Sequence, residues 1–162
     1  MFRPLRMLLL ICAMVPGLAS AQGAGVSFGG LKQDTTLPVE VKADSLAVNQ
    51  ADGSATFTGN VVVGQGDMRL SAAEVRVEYD PEGKAIRQLH ATGGVTLASK
   101  TDAAEAREAV YTIDEGRVVM TGDVLLTQGK SAISGQKLVI DLKSGSGQME
   151  GGVSTIFVPG GN

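Results

Sequence analysis

Thr58-Gly59-Asn60-Val61-Val62-Val63 is the stretch on which the fold turns, because it comes back. Thr92-Gly93-Gly94-Val95, Thr121-Gly122-Asp123-Val124 and Glu150-Gly151-Gly152-Val153 repeat it, with Gly-to-Gly steps of 34, 29 and 29 residues. A second echo lies between the copies at Lys42-Ala43, Ser71-Ala72, Glu105-Ala106 and Ser134-Gly135, weakest at Ala106. A period near thirty residues marks repeated supersecondary units.

Ordered along the chain, the small positions are Ala43, Gly59, Ala72, Gly93, Ala106, Gly122, Gly135 and Gly151. The midpoints between neighbours fall on or beside turn-forming residues: Ala51, Gln65-Gly66, Glu82-Gly83, Ser99-Lys100, Asp114, Gln128-Gly129 and Lys143. Antiparallel hairpins centred there set all eight small residues in one row across a sheet. A row without bulky side chains is where a sheet can fold sharply on itself, so the row reads as a crease.

Period-two alternation surrounds each crease position. Val39 and Val41 precede Ala43, and Leu46 and Val48 follow it. Phe57, Val61 and Val63 flank Gly59; Met68 and Leu70, then Val75 and Val77, flank Ala72. Val95 and Leu97 follow Gly93, and Tyr111 and Ile113 follow Ala106. Met120, Val124 and Leu126 flank Gly122; Ile133, Leu138 and Ile140 flank Gly135. Alternation with turns every 13–19 residues is an all-β signal. At Ala43, Ala72 and Gly135 the apolar residues lie two before and three after, which reads as a β-bulge in each returning strand. The Ala, Glu and Arg of Asp102–Val110 favour helix, but the place of this segment in the repeat makes it a strand. The architecture is all-β: about sixteen short strands, or half as many long creased ones, in two facing layers with an aliphatic inner face. Nothing joins the first strand to the last, so Val39–Val48 and Met149–Val158 are expected as two open edges.

The first 21 residues have Arg3 and Arg6, an apolar run from Met7 to Val15 and an Ala19-Ser20-Ala21 exit, the pattern of a cleavable secretory signal. The run is about half the ~20 residues that span a bilayer. Its removal takes the only cysteine, Cys12, and two of the fourteen basic residues, leaving twelve basic against seventeen acidic, a net −5. Residues 22–37 are Gly-rich and read as a flexible lead-in, 38–158 as the β domain, and 159–162 as a short tail.

Chemistry is sparse. His90 is the one histidine, out of phase with Leu89 and Ala91 and so on the outer face; with no thiol after cleavage, neither a Ser-His-acid nor a Cys-His set can be built. Gly64-Gln65-Gly66 lacks the third glycine and following helix of a phosphate loop and reads as a hairpin turn. Asp80, Glu82, Asp114 and Glu115 sit in turns without calcium-loop spacing. No catalytic residue, metal or cofactor is expected, and an acidic exported chain with few aromatics is not expected to bind nucleic acid. The inside of the fold remains, either as a dry core or as a groove for flexible acyl chains.

The runs Leu37–Asp44, Ala55–Gly66, Ser71–Val75 and Val119–Val124 resemble the LptA/OstA family, periplasmic bridge proteins of lipopolysaccharide export, and the likeness extends over about Leu37–Val158. The resemblance implies an open, V-shaped antiparallel β-jellyroll. It also implies lipid A chains inside the groove, self-association end to end, and docking to the jellyroll domains of inner-membrane and outer-membrane partners. A self-assembling structural β-protein with a dry core and no lipid ligand is the alternative.

Overall fold

The computed structural model describes residues 24–27 and 29–158; the expected signal segment and tail lie outside them. Among the described residues eleven strands form one antiparallel sheet. β1 (Ala24–Ser27) and a single 3₁₀ turn (Gly29–Leu31) come first, then β2 (Glu40–Lys42) and β3 (Ser45–Asn49). Six long strands follow: β4 (Ser54–Gln65), β5 (Met68–Tyr79), β6 (Ile86–Ala98), β7 (Asp102–Thr112), β8 (Arg117–Gln128) and β9 (Ser131–Asp141). β10 (Ser146–Glu150) and β11 (Ser154–Ile156) close the sequence of strands. Each long strand is two short ones end to end, which reconciles eleven strands with the larger number expected. Asp102–Thr112 is strand despite its helical residue types, because the ladders on both sides of β7 outweigh propensity.

The long strands change direction where their ladders break, at Thr58/Val61, Thr92/Val95 and Thr121/Val124. At each break two residues of the glycine-bearing strand oppose one of its neighbour: Gly59-Asn60 face Ala73, and Gly122-Asp123 face Gln136. The extra residue therefore sits in the glycine strand, not in the returning strand where the apolar count places it. The cause is a pair of successive left-handed residues. Gly59 and Asn60 have φ of 84° and 47°, Gly122 and Asp123 have 87° and 48°, and Gly93-Gly94 and Gly151-Gly152 repeat the pair. Only Gly, Asn and Asp adopt that conformation at low cost, which explains why these types follow one another in the recurring motif.

The creases divide the sheet into two leaves. The halves that meet at the turns 65–67, 99–101 and 128–130 make leaf one, and those that meet at 80–85, 113–116 and 142–145 make leaf two. β2 and β11 extend leaf one at opposite ends; β3 and β10 do the same for leaf two. In a flat sheet Gln65 and Tyr111 would stand roughly 35 Å apart, ten residues along the strand and three strands across. Their side chains instead meet at 2.6 Å, so the leaves face one another.

One edge differs from expectation. β2 and β3 pair only with β4, as an open edge does. At the other end β11 pairs only with β9, but β10 is flanked on both sides, by β9 and by β1 in the register Ala24↔Met149. Half of the last edge is thus covered by the chain's own beginning.

Candidate functional site

The inner faces of the leaves form one aliphatic interior. Val61, Val63, Met68, Leu70, Val95, Leu97, Val124, Leu126 and Ile133 enter it from leaf one. Val75, Val77, Tyr111, Met120, Leu138 and Ile140 enter from leaf two, and every one of these side chains is 5% exposed or less. Val39, Val41, Phe57 and Ile113 are half-buried at its margins. Leu46 and Val48 differ: paired with Phe57 and Ala55 at the open edge of leaf two, they are 54% and 66% exposed because no strand lies beyond them. At the opposite end Ile156 and Phe157 are exposed as well. Ile156 pairs with Ala132 rather than Ile133, so it stands on the outer side of its leaf. The interior therefore presents apolar side chains to solvent at the β3 edge, whereas Ile156 at the opposite end faces away from it.

The row of small residues runs along the bottom of the V. A Cβ on Gly122 would lie 2.9 Å from the Cβ of Arg107, and one on Gly151 would lie 2.7 Å from that of Gln136. On Gly59 it would meet the Asp44 carboxylate at 2.5 Å, and on Gly93 the Ala73 methyl at 2.5 Å. Those neighbours are exposed, so these four glycines make room on the outside of the crease rather than between the leaves. Ala72 and Gly135 are buried on the inner side, where Met149 packs 2.7 Å from the Cβ position of Gly135; Ala43 and Ala106 are half-buried. A polar seam finishes the outer side: Asn60 donates to Asp44 at 2.8 Å, Arg107 pairs with Asp123, and Gln136 donates to Asp123 at 3.3 Å.

Opposite the crease, the rim of the V is spanned by residues 30–37, expected as a flexible lead-in. This strap touches both leaves in turn. Gly30 lies against Thr101 and Asp102 of leaf one, and the Gln33 amide donates to the Leu142 carbonyl of leaf two at 2.8 Å. Thr35 packs beside Gly116 of leaf two, and the Thr35 and Leu37 carbonyls accept from Gln65 Nε2 of leaf one at 3.1 and 2.9 Å. Leu31 drops from the strap into the interior and is fully buried. Gln65 is 1% exposed and takes the Tyr111 hydroxyl on its Oε1, so one side chain joins both leaves and the strap. Burial pushes the Tyr111 phenol up to about 12. Gln65 and Leu31 are site residues that the sequence reading passed over. Gln65 had a signal, since it continues the inward series Val61, Val63; Leu31 is a lone apolar residue in a Gly-rich stretch and had none.

The outer faces carry ordinary surface electrostatics. Arg76 pairs with Asp52 at 2.9 Å, Arg87 with Glu78 at 2.5 Å, and His90 with Glu108 at 3.2 Å. His90, and after it Thr121, hold the Glu108 carboxyl below the usual carboxylate range. Among the described residues no group of three or more His, Cys, Asp or Glu could hold a metal, and no helix is long and apolar enough to cross a membrane.

The fold is an open two-leaf sheet with a largely aliphatic interior. The family model described as "LptA/(LptD N-terminal domain) LPS transport protein" matches residues 40–146. The chain belongs to this family. It is 27% identical over 135 residues to the lipopolysaccharide export system protein LptH of Pseudomonas aeruginosa, covering 79% of this chain and 76% of that one. It is 26% identical over 152 residues to LptA of Escherichia coli K12, covering 87% and 82%. An uncharacterized protein of Rhizobium meliloti is 25% identical over 146 residues, covering 85% and 78%. The crystal structure of the P. aeruginosa LptH shares the fold with a TM-score of 0.70 at 21% identity, over 78% of this chain and 99% of that one. Family membership places the jellyroll expectation on firm ground, and the family's description is of transport rather than of an enzyme.

Proposed function

We propose that the chain is a periplasmic lipopolysaccharide-transport protein that houses lipid A acyl chains between its two leaves and bridges the inner and outer membranes by joining end to end. The observation that carries this reading is the continuous aliphatic interior, whose inner face reaches solvent at the β3 edge through Leu46 and Val48. Family membership supports the ligand class, and the description of the P. aeruginosa LptH crystal structure as a periplasmic component supports the compartment.

The mechanism is physical. Hiding an acyl chain from water is worth about 0.8 kcal/mol per methylene, so one twelve-carbon chain contributes roughly 10 kcal/mol gross. Part of that offsets the work of parting the leaves, whose facing side chains already fill the space between them. Transfer between copies is nearly neutral because donor and acceptor interiors are alike; direction has to come from a partner that uses energy. β2 and β3 at one end and β11 at the other pair on one side only, and their free sides supply the backbone groups for joining copies, and for pairing with the jellyroll domains of membrane partners. A heterologous contact of this kind does not close and extends as a filament.

The dense burial of the interior favours a second reading, a self-assembling structural β-protein with a dry core and no lipid ligand. A photo-crosslinking residue separates the two. Placed at Phe57 or Leu46 it is expected to capture lipopolysaccharide in cells, and placed at Glu74, Arg76 or His90 it is not. Equal capture on both faces, or none anywhere, would remove the carrier reading.

A further inference from the structure

The geometry points to residues 30–37 as an internal stand-in for the ligand: the strap holds an apolar side chain and two peptide carbonyls where a lipid would place an acyl chain and its ester or amide carbonyl. Lipid gains the interior by displacing the strap, and Gln65, oriented by Tyr111, then receives the lipid's carbonyl. The inference rests on the carrier reading above and names the seat within it.

Three observations converge. Leu31 is fully buried among the inner-face side chains, while Lys32, Asp34, Thr36 and Leu37 of the same segment are exposed. One apolar group inserted from a strap whose other side chains are exposed or half-buried resembles a short chain docked in the groove. Second, both hydrogens of the Gln65 amide go to strap carbonyls, those of Thr35 and Leu37. Gln65 is 1% exposed, so without the strap its amide would be left at the lip of an apolar interior lacking its two acceptors. A ligand that brings carbonyl oxygens beside hydrocarbon repairs that loss; a free hydrocarbon does not. Third, Tyr111 donates to Gln65 Oε1 at 2.6 Å, which fixes the amide so that its nitrogen faces the rim.

The strap is also built to leave. Gln33 makes one backbone bond to Leu142, and Asp34 satisfies the Thr36 amide and hydroxyl at 3.0 and 2.6 Å, so this turn keeps its own bonds when lifted.

A reversible clamp tests the inference. The ideal Cβ of Gly30 lies 2.0 Å from Thr101 Oγ1 and its backbone is not left-handed, so Gly30→Cys with Thr101→Cys sets two thiols within reach of a disulfide after a small adjustment. Capture of purified lipopolysaccharide by the full exported protein is then measured oxidised and reduced. The expected result is at least about tenfold weaker capture when oxidised, recovered on reduction. In parallel, wild type is expected to favour an ester- or amide-linked acyl lipid over its ether-linked counterpart, and Gln65→Met to lose about fivefold of that preference. Should Gln65→Met fail to fold, Tyr111→Phe carries the same comparison, because it frees the amide without emptying its volume. Equal capture by both redox forms, or no carbonyl preference in wild type, overturns this inference while leaving the carrier reading intact. Wild type that captures no lipopolysaccharide overturns both.

Discussion

Alanine at Gly122 and at Gly94 separates two costs that the crease imposes. Both glycines are left-handed, with φ of 87° and 83°. A Cβ at Gly94 meets nothing within 4 Å, whereas at Gly122 it would come within 2.9 Å of Arg107 Cβ and Cδ. Gly94→Ala therefore reports backbone strain alone, about 1–2 kcal/mol for an L-residue in this region. Gly122→Ala adds a clash. Arg107 Cδ can swing away because the side chain is exposed, but its Cβ is held by β7, so the ladder must shift. An overpacking cost of about 1 kcal/mol or more follows, and disturbing the exposed Arg107–Asp123 pair adds little. The totals are about 1–2 kcal/mol for Gly94→Ala and about 2–4 kcal/mol for Gly122→Ala. For a domain of this size each kcal/mol lowers Tm by about 3–5 °C, so the two variants should melt about 3–10 °C and 6–20 °C below wild type. Thermal unfolding followed by circular dichroism suffices, with Thr121→Ala as a neighbour of ordinary backbone. If Gly122→Ala melts with Gly94→Ala, close approach at the outside of the crease is not what selects glycine there. If both melt with wild type, the left-handed corner is not what holds the leaves at their angle.

The Tyr111 phenol is protonated in the fold up to about pH 12 and ionises near 10 when unfolded, so the folded state binds more protons in that window. Its contribution is fully present below about pH 10 and is lost as pH rises through about 12; Tyr111→Phe should show a shallower loss of stability than wild type over that range in urea titrations, and parallel curves would contradict the burial of the Tyr111 phenol. Val41→Pro and Thr155→Pro each delete a backbone donor on strands that pair on one side only, β2 and β11. Light scattering across concentration should find wild type growing and folded variants monomeric, and a wild type that is monomeric throughout would replace the bridge with a shuttle.

Much of this architecture is written locally. The Gly-Asn, Gly-Gly and Gly-Asp pairs set their own left-handed corners, because backbone sterics at two residues depend on little beyond those residues. Alternation from Val61 to Val63 and from Met68 to Leu70 chooses the inner face, since side chains on a strand change sides at every residue. The turn residues between the strands fix which neighbours pair, and so the crease row is legible in the amino-acid order alone. What reaches beyond short range is not. Which strand of a pair holds the extra residue cannot be counted from the apolar pattern, because both strands share the same break. The pairing of Ala24 with Met149 joins segments more than a hundred residues apart through backbone groups that every sequence carries. The seat of Leu31 and the double use of the Gln65 amide exist only once the two leaves face each other and the strap lies across their rim. Local conformational preference determined the corners, the faces and the order of the strands. Closure of the V was decided by contacts that form only when distant segments meet, where burial of one leucine and satisfaction of one amide select among arrangements that the backbone alone would allow equally.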